Sequence, residues 1–137
     1  MAVSDPDCLF CKIVAGELPA TFVAQDELTM AFMDINPATR GHLLVVPRRH
    51  SANLLEIEPA ALAAVALAAQ RLARSMTENL GADGVNLINS CGPMAWQTVF
   101  HFHMHVIPRY QDDPLRLPWT PSPGDPQEIA AAAARLA

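Results

Sequence analysis

Residues 101–105 read His101-Phe102-His103-Met104-His105, and Val106 continues the alternation. Strict polar and apolar alternation has period two, and an extended strand turns that period into two faces. Phe100 to Ile107 is therefore predicted to be a half-buried strand. Its three imidazoles form a row on one face, spaced by roughly 6–7 Å. Phe102, Met104 and Val106 lie on the other face, against a core. The fold must supply a sheet for this strand and something apolar to pack beneath it.

The flanking sequence supplies both. Thr21 to Gln25 and Leu28 to Met33 read as two strands of a hairpin turning at Asp26-Glu27. His42 to Val46 is apolar enough for a central strand, and Pro47 ends it. Val85 to Ile88 reads as a fourth strand. Pro59 suits a first helical position and Gly81 the residue after a helix end. Between them Leu62, Val65, Ala66, Ala69, Leu72, Ala73, Met76 and Leu80 recur in steps of three and four, which predicts a long amphipathic helix. Cys8 to Ala15, closed by Gly16, reads as a short helix. The expected class is α+β: a five-stranded antiparallel sheet with one long and one short helix. We place a domain over residues 1–113 and a Pro-rich tail over 114–137. Asp125-Pro126-Gln127-Glu128 in that tail resembles a capping box that opens a short terminal helix.

At 137 residues and 51% apolar, the chain can build one domain with a genuine core. A net charge of −5 argues against a nucleic-acid binder. It leaves room for a small anion, because backbone N–H groups and a few imidazoles can hold one phosphate. The N-terminus is acidic and lacks the apolar region of a secretory signal, and no apolar stretch reaches membrane-spanning length. A cytoplasmic location is expected, with no membrane partner. There the three cysteines would be reduced thiols.

Three imidazoles on one face can bind a metal, move protons or attack phosphorus. Side chains at i, i+2 and i+4 of a flat strand diverge, so all three cannot easily reach one ion at about 2.0–2.1 Å. Attack on phosphorus fits better. If one ring nitrogen donates to a carbonyl, the tautomer is fixed and the other nitrogen presents a lone pair. His103, flanked on both sides, is the natural nucleophile. His105 is the natural partner for phosphate oxygens.

Cys8-Leu9-Phe10-Cys11 has zinc-ligand spacing, but a structural site needs four ligands. By itself the pair also fits two buried thiols or a redox couple, although no thioredoxin-like context surrounds it.

Residues 101–107 resemble the His-φ-His-φ-His-φ-φ motif of the histidine triad family at every position. Gln97-Thr98-Val99-Phe100 and Gly41-His42-Leu43-Leu44-Val45-Val46-Pro47, with His50 beyond, resemble it too. The likeness runs from about Cys8 to Tyr110 and is greatest to the Hint branch of nucleoside phosphoramidate hydrolases. It implies a histidine triad fold in which His103 forms a covalent nucleotidyl intermediate. His105 would bond the α-phosphate or the leaving group, and His42 would support the triad. Asp34 would hold the ribose. Phe10, Ile13, Phe32 and Ile35 would surround a purine. Thr98, with Gln97 beside it, would contact phosphate, as would Ser90, which stands where many relatives carry an amide. Cys8, Cys11, His50 and His101 would form a structural zinc site. The resemblance further implies a homodimer that joins two sheets and two long helices, and no redox cofactor.

The implied reaction is cleavage at the α-phosphate of purine nucleoside 5′-phosphoramidates or related conjugates. Hydrolysis of dinucleoside polyphosphates and low-turnover nucleotide binding are the alternatives. Trp96 departs from the pattern, since relatives usually have glycine before the glutamine. It is expected to narrow the leaving-group side or stack on a second base.

Overall fold

The structure is a computed structural model that describes residues 4–137. The chain runs through α1 (Leu9–Val14), β1 (Phe22–Gln25), β2 (Thr29–Met33), β3 (Leu43–Pro47), α2 (Pro59–Leu80), β4 (Gly84–Ile88), β5 (Met104–Arg109) and α3 (Pro126–Leu136). The strands form one antiparallel sheet in the order β1-β2-β3-β5-β4. This is the α+β class expected.

Local chemistry accounts for each element. In the β1–β2 hairpin, Asp26 Oδ1 accepts from the Leu28 amide at 2.9 Å, the Thr29 amide at 2.7 Å and the Thr29 hydroxyl at 3.0 Å. α2 begins with Pro59 and ends at Gly81, whose φ of 68° is the left-handed cap that glycine adopts without strain. Val65, Ala68, Ala69 and Met76 are its buried residues. Ala66, expected among them, is exposed, because the stripe facing the sheet is rotated towards Ala68. The alanines let α2 lie close to the sheet.

Both faces of the sheet are covered. On one side α2 packs with Val45, Phe102 and Val106. On the other, α1 brings Phe10, Cys11 and Ile13 against Met30, Phe32, Leu44 and Val46. The histidine face is therefore not the open face of a half-buried strand: His101 is 0% exposed and His103 6%, and only His105 stays partly open, at 24%.

The fifth strand is also shorter at its start than predicted, because Phe100 to His103 lie outside it. β3 pairs with β5 only from Leu43↔Val106 to Val45↔Met104. Beyond that point Pro47 has no N–H to give, and its carbonyl is taken by His101 Nε2 at 2.8 Å. The Phe102 amide bonds instead to Ser51 O at 2.7 Å.

Gly41 sets the approach to β3. Its φ is +94°, and a Cβ there would stand 2.6 Å from Leu80 Cδ1 at the end of α2. At the other terminus Asp125 caps the Gln127 amide at 3.0 Å and starts α3. Residues 116–137 are exposed throughout. Among the described residues no helix is long and apolar enough to cross a membrane.

Candidate active site

A cavity of about 460 Å³ opens between α1 and the ends of β2 and β5. Phe10, Ile13, Phe32, Asp34, Ile35, Thr98, His103 and His105 all line it. Phe10 is the hinge of this wall. Its ring meets His103 edge-on at 5.1 Å and Phe32 at 5.4 Å. Ile35 is 90% exposed at the rim.

Backbone groups assign the protons of His103 and His42, and His42 in turn assigns that of His105. His101 O lies 2.8 Å from His103 Nδ1 and can only accept, so Nδ1 carries the hydrogen and Nε2 keeps its lone pair. The Ala38 amide donates to His42 Nδ1 at 2.9 Å. The proton of His42 therefore sits on Nε2, which donates to His105 Nδ1 at 2.9 Å. That leaves His105 with its hydrogen on Nε2. One ring of the site thus presents a lone pair and its neighbour presents a donor.

In the empty site the electrostatics keep these rings neutral. Burial pushes the pKa values of His42 and His103 below the ordinary imidazole range. His105 is held down to about 4, by burial first and then by the nearby rings of His103 and His42. A neutral His103 is the form that can attack.

A second cluster lies behind the triad. Cys8 Sγ is 3.5 Å from His101 Nδ1, and Cys11 Sγ is 3.5 Å from His101 Nδ1 and 3.4 Å from His50 Nδ1. Two ligands bound to zinc through sulfur and nitrogen at about 2.3 and 2.0–2.1 Å in a tetrahedron lie roughly 3.5 Å apart. His101 donates through Nε2 to Pro47 O, so its free lone pair is the nitrogen that faces the sulfurs. Amides of Cys11 and Asp5 point at Cys8 Sγ and Cys11 Sγ, each at 3.4 Å, as donors that favour thiolates. Burial pushes the Cys8 thiol pKa up, so a cation would be needed to ionise it. These four residues are suited to hold one tetrahedral ion. Asp34, His42 and His105 also stand together. They are poorly suited to a metal, because the Ala38 amide keeps the proton on the very nitrogen His42 would have to offer.

The HIT domain family profile matches residues 15–112. The chain belongs to the histidine triad family. It is 41% identical to the protein named Protein hit of Bacillus subtilis over 104 residues, 76% of this chain and 72% of that one. It is 35% identical over 125 residues to the adenosine 5′-monophosphoramidase hnt1 of Schizosaccharomyces pombe, covering 90% and 91% of the two chains. A crystal structure from Streptococcus mutans superposes with a TM-score of 0.93 at 39% identity, over 99% of this chain and 87% of that one. A zinc-bound histidine triad family protein from Mycobacterium smegmatis gives 0.78 at 41% identity, over 95% of each chain.

Within this family fold, His42, Ser90, Trp96 and Gln97, all singled out from sequence, do not line the cavity, although His42 stands behind His105. Gln97 is buried and spends its amide on the loop: Nε2 donates to Ala52 O at 2.7 Å and Val99 O at 3.1 Å, and Oε1 accepts from the Gly92 amide at 2.8 Å. Ser90 is buried. Its neighbour Asn89 carries an amide instead, with Nδ2 donating to His103 O at 3.0 Å. Sequence reasoning missed Asn89, whose only signal was a polar residue at the end of an apolar strand. It also missed the Ala38 amide, a backbone group that no side-chain pattern reveals. Trp96 is 70% exposed and does not line the cavity either. Its φ of 77° is left-handed, which explains why glycine suits this position.

Proposed function

We propose that the chain is a nucleotide hydrolase that cleaves at the α-phosphate of purine nucleoside 5′-phosphoramidates or related conjugates. The observation that carries this reading is the His103 ring. Its Nδ1–H is fixed on His101 O at 2.8 Å, and it lines the same cavity as Asp34. The base lies among Phe10, Ile13, Phe32 and Ile35, and the ribose hydroxyls bond Asp34. Thr98 meets the phosphate. The named activity of the fission yeast relative supports the substrate class.

His103 Nε2 attacks phosphorus in line and forms a nucleotidyl-histidine. His105 Nε2–H faces the phosphate or the departing group, and His42 holds that tautomer. Water then releases the nucleoside monophosphate. Charge stabilisation and positioning carry most of such a transfer. Cys8, Cys11, His50 and His101 hold a structural zinc ion, which ties α1 to the triad. The zinc-bound mycobacterial relative supports a bound zinc ion, and the clustering of these four side chains supports their part in it. β4 is an edge strand with Leu87 and Ile88 exposed, and exposed Leu67 lies on α2; these support a homodimer through β4 and α2.

The test is a quench of purified protein with adenosine and guanosine phosphoramidates and with dinucleoside polyphosphates. A labelled nucleotidyl-protein that forms with phosphoramidates and is lost in His103→Ala is expected. Full turnover by His103→Ala defeats the proposal, and faster turnover of polyphosphates moves the substrate class.

A further inference from the structure

Asp34 reaches beyond the sugar side of the cavity. Its Oδ1 accepts the Asn36 amide at 2.8 Å. Its Oδ2 stands 3.4 Å from His42 Nε2 and 3.9 Å from His105 Nδ1. With the resting tautomers, the His42 N–H occupies the lone pair of His105 Nδ1. A second proton on His105 would turn Nδ1 into a donor, and two N–H groups would then oppose each other at 2.9 Å. His42 cannot reverse its ring tautomer, because the Ala38 amide holds its Nδ1 lone pair. Both hydrogens need one acceptor between them, and Asp34 Oδ2 lies within reach of both nitrogens.

We propose that Asp34 Oδ2 is the counter-ion that lets His105 carry a second proton, so that Asp34 positions the acid of the reaction as well as the sugar. This rests on the hydrolase reading above. The titratable groups facing His105 are His103 beside it, His42 ahead of β3 and Asp34 after β2. β4, its neighbour on the other side, places Ile88 opposite it. Of those three groups Asp34 alone favours the cation.

In the reaction, His103 Nε2 forms a bond to phosphorus as the P–N bond of the phosphoramidate breaks. The electron pair of that bond stays on the departing nitrogen, which takes the Nε2 proton of the His105 cation, a form held down to about pH 4 in the empty site and favoured by the bound phosphate anion beside Asp34. His105 is left neutral, with Nδ1–H on Asp34 and a lone pair on Nε2. That lone pair removes a proton from water as the water oxygen displaces His103, whose Nε2 recovers its electron pair. One water is consumed, an amine and a nucleoside monophosphate leave, and both rings return to their starting state.

The test uses a 2′,3′-dideoxyadenosine 5′-phosphoramidate, which has no hydroxyl for Asp34 to bind. With that substrate, Asp34→Asn is expected to move the alkaline limb of kcat to lower pH by about one to three units, with KM little changed. The same titration is read without turnover from the ring ¹⁵N shifts of His105 in the complex with 2′,3′-dideoxyadenosine monophosphate. Identical wild-type and Asp34→Asn titrations overturn the proposal, as does a loss confined to KM. If wild-type protein forms no nucleotidyl-His103, the hydrolase reading falls, and the ¹⁵N titration still decides the role of Asp34.

Discussion

Acid should begin to destabilise this protein above the range where its carboxylates titrate. His101 and His105 both have folded pKa values near 4, against an ordinary 6.5. As pH falls below 6.5, the unfolded chain takes a proton at each ring while the folded chain stays neutral. Stability is therefore whole above pH 6.5 and is lost towards pH 4. Each ring removes about 1.4 kcal/mol per pH unit across that window, or about 3 kcal/mol in all. The two together approach the total stability of an ordinary domain, about 5–15 kcal/mol. His42 and His103 are shifted in the same direction and add to the loss. Zinc on His101 would steepen it, because protonation must then expel the ion. The measurement is therefore urea unfolding by circular dichroism on chelator-treated protein, from pH 7.5 to 4.5. Wild-type stability should fall steeply below about pH 6.5, and His105→Gln should show a shallower dependence. A flat wild-type profile between pH 7 and 5, or an unaltered slope in His105→Gln, would refute the burial argument.

Cys11→Ala should lower bound zinc from near one equivalent to under about half and reduce the melting temperature, read by metal analysis and calorimetry; full zinc content would dismiss the four-ligand set. Gly41→Ala puts a methyl 2.6 Å from Leu80 Cδ1 at a φ of +94°. It should cost about 2–4 kcal/mol, a fall of roughly 6–15 °C in melting temperature, and an unchanged melting curve would contradict the close approach. Trp96→Gly relieves a left-handed φ worth about 1–2 kcal/mol, less the glycine entropy of about 0.5–1 kcal/mol. Its melting temperature should hold or rise, and a marked fall would show that the indole packs.

The sequence alone determined the period-based features. Alternation around His101–His105, the three-and-four spacing of α2, and the caps at Pro59 and Gly81 are local, and local sterics decide them. So are the identities of the chemical groups, since a ring with a lone pair or a thiol at C-x-x-C spacing is legible without coordinates. Tertiary structure decided what the pattern could not hold. Alternation said the histidine face should be half-open, and α1 buries it. It carried the strand back to Phe100, and the missing N–H of Pro47 with its claimed carbonyl ends the ladder at Met104. Gln97 and Asn89 are polar residues of similar appearance in the chain. Only the loop that closes around Gln97 and the carbonyl of His103 beneath Asn89 assign their hydrogen bonds. Above all, the ring tautomers come from backbone atoms of residues 38, 47 and 101, relayed to His105 through His42, and these converge through folding and leave no mark in side-chain identity.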